Sequence, residues 1–494
     1  MRRTSAPYSP QEHSPRTGLH TCDRMAVRCV ILDFDGTFTD IETEAQPFVP
    51  AFRREVESRI GSNATRYWEN AERTVDESPD AYGWESEGVI VAPATADPYI
   101  RATVIAQTAL KEAEFADEGA RSALIQEAYR VSYPATTTAF REEAAAVLRL
   151  LVNAIPVVCF VSNARADVIR AKLDQLVPEI SGSLRVFGDA RKQTLAATAA
   201  SARFVTLPEF VEAFGRNRRP VYLRRHFYLD ILERIWYETN CSAFDTLVCG
   251  DVFELDLAMP VVLGCRVHLI CRLGTARRDI KAVRQFGSRA EVSGSLWGLA
   301  AHALQIPWRV RTGDGSTIRI PRVVREHLVA HPETAVSLRP AAATLTARDA
   351  GEYLEAEVDL HRPVGTLGCM KTARLRADDK ATFTVRPNRR APSRVLICAT
   401  PELTTKFTIR AQRFGADDFK LLTAYAGSLA PPEPWDEAGL QRANLNRAAA
   451  LDYWCEHALV WQSSWPRPFE STWDEVLREY VSEAPPDGSG VAVR

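Results

Sequence analysis

Val30-Ile31-Leu32-Asp33-Phe34-Asp35-Gly36-Thr37 is an apolar run that delivers two carboxylates, one residue apart, into a glycine turn. A strand of Val, Ile and Leu buried on both faces does not tolerate charge along its length. Carboxylates at its C-terminal end therefore face a ligand crevice at the edge of a parallel sheet. Like charges this close require a counter-charge, and a divalent cation such as Mg²⁺, which prefers hard oxygen ligands, is the simplest one. Read alone, Asp33 and Asp35 also fit the plainer description of turn residues beside Gly36.

Three further segments weigh against that plainer description. Pro156-Val157-Val158-Cys159-Phe160-Val161 is a second short β-branched run, and it ends in Ser162-Asn163 before a helix-like segment from Arg165 to Leu173. A hydroxyl and backbone N–H groups at a strand-to-helix turn make an anion site. Leu184-Arg185-Val186-Phe187-Gly188-Asp189-Ala190-Arg191-Lys192 places an ammonium just after a third strand. Thr246-Leu247-Val248-Cys249-Gly250-Asp251 brings acids to the mouth of a fourth, with Glu254 and Asp256 following. An acid pair, a hydroxyl, a lysine and a second acid group thus stand in that order.

With this ordered set the chain resembles the haloacid dehalogenase (HAD) superfamily over about residues 26 to 304. Asp33-Phe34-Asp35-Gly36-Thr37 is similar to its first motif, Val161-Ser162 to its second, Lys192 to its third, and Gly250-Asp251 with Asp256 to its fourth. The resemblance implies a Rossmann-like α/β core, a parallel sheet with helices on both faces, carrying an inserted helical cap. It also implies a Mg²⁺-dependent phosphohydrolase acting on a small-molecule phosphate monoester, with Asp33 as nucleophile and Asp35 as general acid and base. Ser162, Asn163 and Lys192 would hold the phosphoryl oxygens, and Asp33, Asp35, Asp251 and Asp256 would form the metal site. Lys192 lies farther upstream of Asp251 than is usual in the family, so Arg219 or Arg225 is an alternative source of positive charge. An acid at position 35 favours expelling an alkoxide over displacing a halide, because a halide needs no proton. A phosphomutase would use the same residues.

Composition bounds the alternatives. The chain has 494 residues and a formal net charge of −2, which gives no global electrostatic case for nucleic acid or membrane binding. Ten cysteines are scattered without a C-x-x-C pair, which suits a reducing cytoplasm and argues against a disulfide frame or zinc site. No uninterrupted apolar run is long enough to span a bilayer. Residues 1–25, rich in Ser, Pro, Thr and charge, read as a disordered lead, and residues 484–494 as a disordered tail.

The expected organisation is a core at residues 26–305 with the cap inserted at about 42–150, a linker at 306–340 and a separate C-terminal α+β domain at 341–483. Cap helices are expected at 52–60, 99–116, 120–133 and 138–152, with a hinge at Pro93–Tyr99. C-terminal strands are expected at 382–386, 394–398, 406–410 and 419–425, with a hairpin turn at Gly415–Asp418, then helices at 440–458 and 472–481. Leu421–Gly427 weakly resembles the last strand of ribonuclease toxin domains of the barnase/EndoU/RelE-like group. On that resemblance His361, Arg394, Thr423 and Tyr425 become candidates for handling a scissile phosphate, with Arg386, Arg389 and Arg390 adding positive charge. A second reading of the chain then makes the HAD-like part a scaffold and gives the activity to the C-terminal domain. The four tryptophans at 454, 461, 465 and 473 read as core or interface residues.

Overall fold

In the computed structural model the described residues are 26–366, except 87, 116, 199–200 and 213–218, together with 381–383, 393–397, 403–432, 436–450, 453 and 459–461. The expected lead and tail, Arg386, Arg389, Arg390, the side chains of Arg394 and Trp461, the tryptophans at 454, 465 and 473 and the helix at 472–481 lie outside them.

The four motif strands belong to one parallel sheet. In chain order its strands are β1 (Cys29–Leu32), β2 (Val157–Val161), β3 (Arg185–Phe187), β4 (Thr246–Gly250), β5 (Arg266–Ile270) and β6 (Ala290–Ser293). Their spatial order is β6-β5-β4-β1-β2-β3, with every neighbouring pair parallel. The order reverses between β1 and β4, and at such a switch point the connections leave to opposite sides and open a crevice at the strand ends. Asp33 follows β1 and Asp251 follows β4, so the two acids flank that crevice. Residues of β1 alternate between two apolar layers: Val30 and Leu32 pack on one face with Leu148, Leu151 and Leu299, and Cys29 and Ile31 on the other with Leu229, Leu232 and Met259. That two-sided burial is why the strand reads as a continuous apolar run.

The insertion between β1 and β2 forms the cap. Its helices are α1 (Phe48–Ile60), α2 (Ala64–Glu77), α3 (Pro98–Glu112) and α4 (Glu118–Ser132). A short hairpin of Gly83–Ser86 and Val89–Pro93 lies between α2 and α3. Helix α2 and the hairpin were not expected from the sequence. The segment expected as a hinge is a single 3-10 turn, Ala94–Ala96, after which Asp97 caps α3 by accepting from Ile100 N at 2.7 Å. The helix expected at 138–152 begins later, at Ala144, because Phe140 bridges Thr39 and a turn at residues 142–143 follows.

Residues 306–340, expected as a linker, are structured. They supply β7 (Arg309–Arg311) and β8 (Thr317–Arg319), followed by helices Arg322–His327 and Pro332–Ala343. With β9 (Tyr353–Asp359), β10 (Lys406–Arg413) and β11 (Asp418–Ala426) these strands form a five-stranded mixed sheet, ordered β7-β8-β11-β10-β9. β10 and β11 form the expected hairpin, turned at Gly415–Asp418. The strands at 381–383 and 393–397 instead pair with 459–461 in a separate three-stranded sheet. The helix expected at 440–458 is interrupted: one helix runs Glu437–Arg442, Asn444 takes a φ of 49°, and residues 447–450 are helical again.

One apolar core joins the parallel sheet to the mixed sheet: Leu32, Leu299, Ile318, Leu328, Phe407 and Leu421 belong to the same buried cluster. Arg325 reinforces the joint by pairing with Glu291 of β6 at 2.7 Å and donating to Ile306 O at 2.7 Å. Leu299→Ala is therefore expected to cost about 2–5 kcal/mol and to shift one shared urea transition. Separate melting of the mixed sheet would contradict a common core.

Candidate active site

Asp33 is held by its backbone N–H, which donates to Cys249 O at 2.8 Å and locks the ends of β1 and β4 together. Its carboxylate is buried, with Oδ1 2.7 Å from Lys192 Nζ and Oδ2 3.4 Å from the donating Thr37 hydroxyl. Gly36 follows at a φ of +79°, and a Cβ there would strike the Asp251 carboxyl. The glycine in the opening motif is thus required twice, for its backbone angle and for its missing side chain.

Lys192 is the buried cation of the site, 2.7 Å from Asp256 Oδ1 as well as from Asp33 Oδ1. It is presented by a strained loop: Asp189 and Arg191 both take positive φ, at 50° and 46°. For L-residues this conformation costs about 1–2 kcal/mol each, so the surroundings must impose it. Ala190 N donates to Ser162 O at 3.0 Å, Lys192 N donates to Asn163 Oδ1 at 2.8 Å, and the buried Arg225 guanidinium holds Lys192 O. Among the three cations weighed from the sequence, Lys192 alone contacts the carboxylates of Asp33 and Asp256. Arg225 braces the lysine's backbone, and Arg219 pairs with Glu254. Asn163, expected to bind phosphate, spends its carbonyl on positioning Lys192. Ser162 is buried at the end of β2 and lines the same cavity as Asp33, with its hydroxyl accepting from Ala164 N at 3.2 Å.

Asp256 enters the site through a π-helical turn, Phe253–Leu257. The wide turn accommodates an extra residue and so brings a side chain five positions after Asp251 back toward it. Val252 N donates to Asp256 Oδ2 at 3.0 Å, Tyr228 OH donates to Asp256 O at 3.0 Å, and a Cβ on Gly250 would overlap the carboxyl. Glu254 in the same turn serves as a structural anchor, buried against Arg219 and Arg278.

Asp33, Asp251 and Asp256 each offer one oxygen, all within 4.8 Å of one another. Asp35, counted from the sequence among the metal ligands, is outside this cluster. Its carboxylate turns away to Lys172 Nζ at 2.9 Å, and Lys172 bridges on to the buried Glu44 at 2.9 Å. Burial would lower the Lys172 pKa, but Asp35 and Glu44 outweigh it and hold the ammonium charged. The chain that holds Asp35 in place was invisible in the sequence, because Lys172 is one more polar residue on an amphipathic helix.

Arg272, at the end of β5, was likewise unmarked. Its guanidinium is almost fully buried, donates to Asp251 Oδ2 at 2.5 Å, and also holds Glu42 and the Ala96 carbonyl of the cap. The cluster then sets three carboxylates against Lys192 and Arg272, and Arg272 is shared with Glu42. Burial raises the Asp33 carboxyl well above the usual range, against the pull of Lys192 and with Asp256 and Asp251 adding to the rise. Burial likewise pushes Asp251 up to about 7, despite Arg272. Crowded, buried carboxylates that offer hard oxygen donors fit a small divalent cation.

The site opens into a cavity of about 1140 Å³ lined by Asp33, Asp35, Ser162, Lys192 and Asp251 on the core side and by α3 and α4 on the cap side. Arginines tie the cap to the site. Besides Arg272, Arg219 donates to Ile90 O at 2.7 Å, Arg225 to Val91 O at 3.0 Å, and Arg278 pairs with Asp80.

No protein-family model matches the chain, and no curated protein is found similar to it. Solved structures of HAD-like hydrolases are similar to about half of it. A predicted phosphoglycolate phosphatase from Haemophilus somnus shares 11% identity over 54% of this chain and 93% of its own, with a TM-score of 0.31. A HAD-hydrolase from Bacillus subtilis, YfnB, whose structure holds magnesium, shares 13% over 50% and 89%, with a TM-score of 0.29. A 2-haloacid dehalogenase from Pseudomonas syringae shares 15% over 56% and 99%, with a TM-score of 0.29. At this distance the functional reading stands on the residues themselves.

Removing Arg272 leaves the Asp251 charge buried without its partner. Arg272→Met is expected to cost about 3–5 kcal/mol in denaturant unfolding without divalent ions, and adding Asp251→Asn to the same chain should recover part of that loss. Purely additive effects of the two substitutions would contradict the pairing.

Proposed function

We propose that the protein is a HAD-type phosphohydrolase that cleaves a phosphate monoester through a phospho-aspartate on Asp33. The observation that carries this reading is the buried constellation of Asp33, Lys192, Asp251 and Asp256 at adjacent parallel strand ends, open to a cavity that also contains Asp35 and Ser162. Asp33 has an oxygen facing the cleft and attacks phosphorus, so the P–O bond to the leaving alcohol breaks as the Asp33–phosphorus bond forms. Lys192 neutralises the charge shared between Asp33 and Asp256 and offers N–H donors to phosphoryl oxygens. Ser162 adds a hydroxyl at the end of β2. Asp35 enters the first step protonated and gives that proton to the departing alkoxide; the carboxylate this leaves, paired with Lys172, takes a proton back from the water that hydrolyses the phospho-aspartate, which restores the starting state.

Asp33, Asp251 and Asp256 are the residues that would hold Mg²⁺, with Asp256 shared with Lys192. The ion supplies charge neutralisation for the phosphoryl dianion and alignment of the displacement. A phosphate entering without it would meet a cleft lined by the carboxyl groups of Asp33, Asp251 and Asp256.

The placement of Asp35 favours ester hydrolysis over halide displacement. Its carboxyl group lines the cavity, where it can serve a leaving group that needs a proton, as an alkoxide does and a halide does not. The ribonuclease-like reading of the C-terminal region has less support. His361 is exposed beside Asp359, and the Tyr425 hydroxyl accepts from Ala430 N at 3.1 Å.

With p-nitrophenyl phosphate, whose leaving group needs no proton, Asp35→Asn should keep the first step and slow hydrolysis of the phospho-aspartate by about 10²–10⁴. A burst of one nitrophenolate per chain and an acid-stable count of phosphoprotein report this. Asp33→Asn should give neither burst nor turnover, and removing Mg²⁺ with a chelator should stop wild-type turnover reversibly. Full turnover by Asp33→Asn would refute the nucleophile assignment.

A further inference from the structure

Away from the acid cluster, three residues that sequence spacing does not group meet near the joint between the two sheets: His268 of β5, Glu291 of β6 and His302 of the helix Leu296–Ala303. Glu291 is the register partner of His268 on the neighbouring strand. One nitrogen from each histidine and one Glu291 oxygen lie within 4.8 Å of one another. Both histidines are buried and Glu291 is partly exposed, and none of the three lines the cavity that holds Asp33.

Two nitrogens bound to one tetrahedral Zn²⁺ at about 2.0–2.1 Å each lie about 3.3–3.4 Å apart. The Nδ1 atoms of His268 and His302 face each other at 3.3 Å. Burial holds the His268 ring well below the usual histidine pKa, with His302 adding to the fall, so the ring is neutral. Its one proton is placed by Ser293, whose hydroxyl donates to Ser295 O at 2.6 Å and whose oxygen therefore accepts from His268 Nε2 at 2.8 Å. The Nδ1 lone pair of His268 is thereby aimed at the gap. Glu291 is held just as firmly. A carboxylate has about four lone-pair positions; Arg325 takes one on each oxygen, at 2.7 and 3.0 Å, and Trp308 Nε1 a third at 3.1 Å. One position is left among the described residues.

We propose that His268, His302 and Glu291 bind one Zn²⁺, with water completing a tetrahedral shell. Two imidazole nitrogens beside one carboxylate suit zinc and not Mg²⁺, which takes oxygen ligands. The Ser293 contact is the outer hydrogen bond that a zinc-bound imidazole ordinarily makes, and Arg325 and Trp308 orient the carboxylate in the same way. The place of the ion in the fold gives it a structural role. Its ligands come from β5, β6 and the helix that follows, while Arg325 and Trp308 belong to the segment that leads into the mixed sheet. An ion there fastens the end of the parallel sheet at the point where the second sheet is attached.

The test titrates the full chain with Zn²⁺ in the presence of excess Mg²⁺. The wild type is expected to bind one Zn²⁺, to unfold at a higher temperature with Zn²⁺ than with a chelator, and to give with Co²⁺ the intense visible bands of a tetrahedral site. Asp251→Asn should keep the zinc, which separates this site from the acid cluster. His268→Gln and His302→Gln should each lose it, and Ser293→Ala should weaken it about 10–100-fold. Absence of zinc binding by the wild type, or a cobalt spectrum without tetrahedral bands, overturns the proposal and leaves the two rings joined by an N–H···N hydrogen bond; these two readings need no substituted chain to fold. Binding that survives both histidine substitutions, or that is lost in Asp251→Asn, overturns it as well.

Discussion

Three carboxylates share a dry crevice between β1 and β4, and their mutual repulsion is the constraint that the surrounding structure answers. Asp33 and Asp251 are delivered by strand ends locked through a backbone hydrogen bond, and Asp256 by a π-helical turn. In water such charges would be screened; at the bottom of a cleft they are not. Lys192 answers part of the repulsion, and the chain accepts two left-handed residues to place it. Arg272 answers another part. What is left is a group of hard oxygen donors only partly neutralised, since Arg272 also serves Glu42, and that suits a divalent cation bound together with a phosphoryl group.

The same electrostatics ties the cap to the core. Arg272 spans Asp251, Glu42 and Ala96 O, while Arg219 and Arg278 both meet Glu254 of the π-helical turn and reach Ile90 O and Asp80. Each guanidinium has one end on a loop that shapes the site and the other on residues 80–96 or 42. The cap hairpin is thereby a fixed wall of the cavity, and the α3–α4 hairpin supplies another. The geometry of the acid cluster and the placement of the cap are consequently linked through shared side chains.

Much of this was legible in the chain. Strands buried on both faces leave continuous apolar runs, and acids at their ends have few structural reasons to be there, so Asp33, Asp251 and the strand before Lys192 stood out. Spacing alone groups Asp35 with the metal ligands, since it does not say which way a carboxylate turns; in the structure that carboxylate meets Lys172. Arg272 and Lys172 left no signal, because one cation after a strand or on an amphipathic helix looks like any solvated charge. The π-helical turn was hidden for a related reason: a single extra residue changes no pattern. In the C-terminal region, β9 alternates buried Leu354 and Val358 with exposed Glu355, Glu357 and Asp359, a strand signal present in the sequence itself. The strands at 309–311 and 317–319 were too short to show a period, and polar residues with a glycine turn made 306–340 resemble a linker.

The cation itself is the most direct test. Titration calorimetry of the full chain with Mg²⁺ should give one ion bound per chain, lost in both Asp251→Asn and Asp256→Asn and retained in Asp35→Asn, whose carboxylate faces Lys172. Absence of Mg²⁺ binding by the wild type, or binding that survives both Asp251→Asn and Asp256→Asn, would contradict the account.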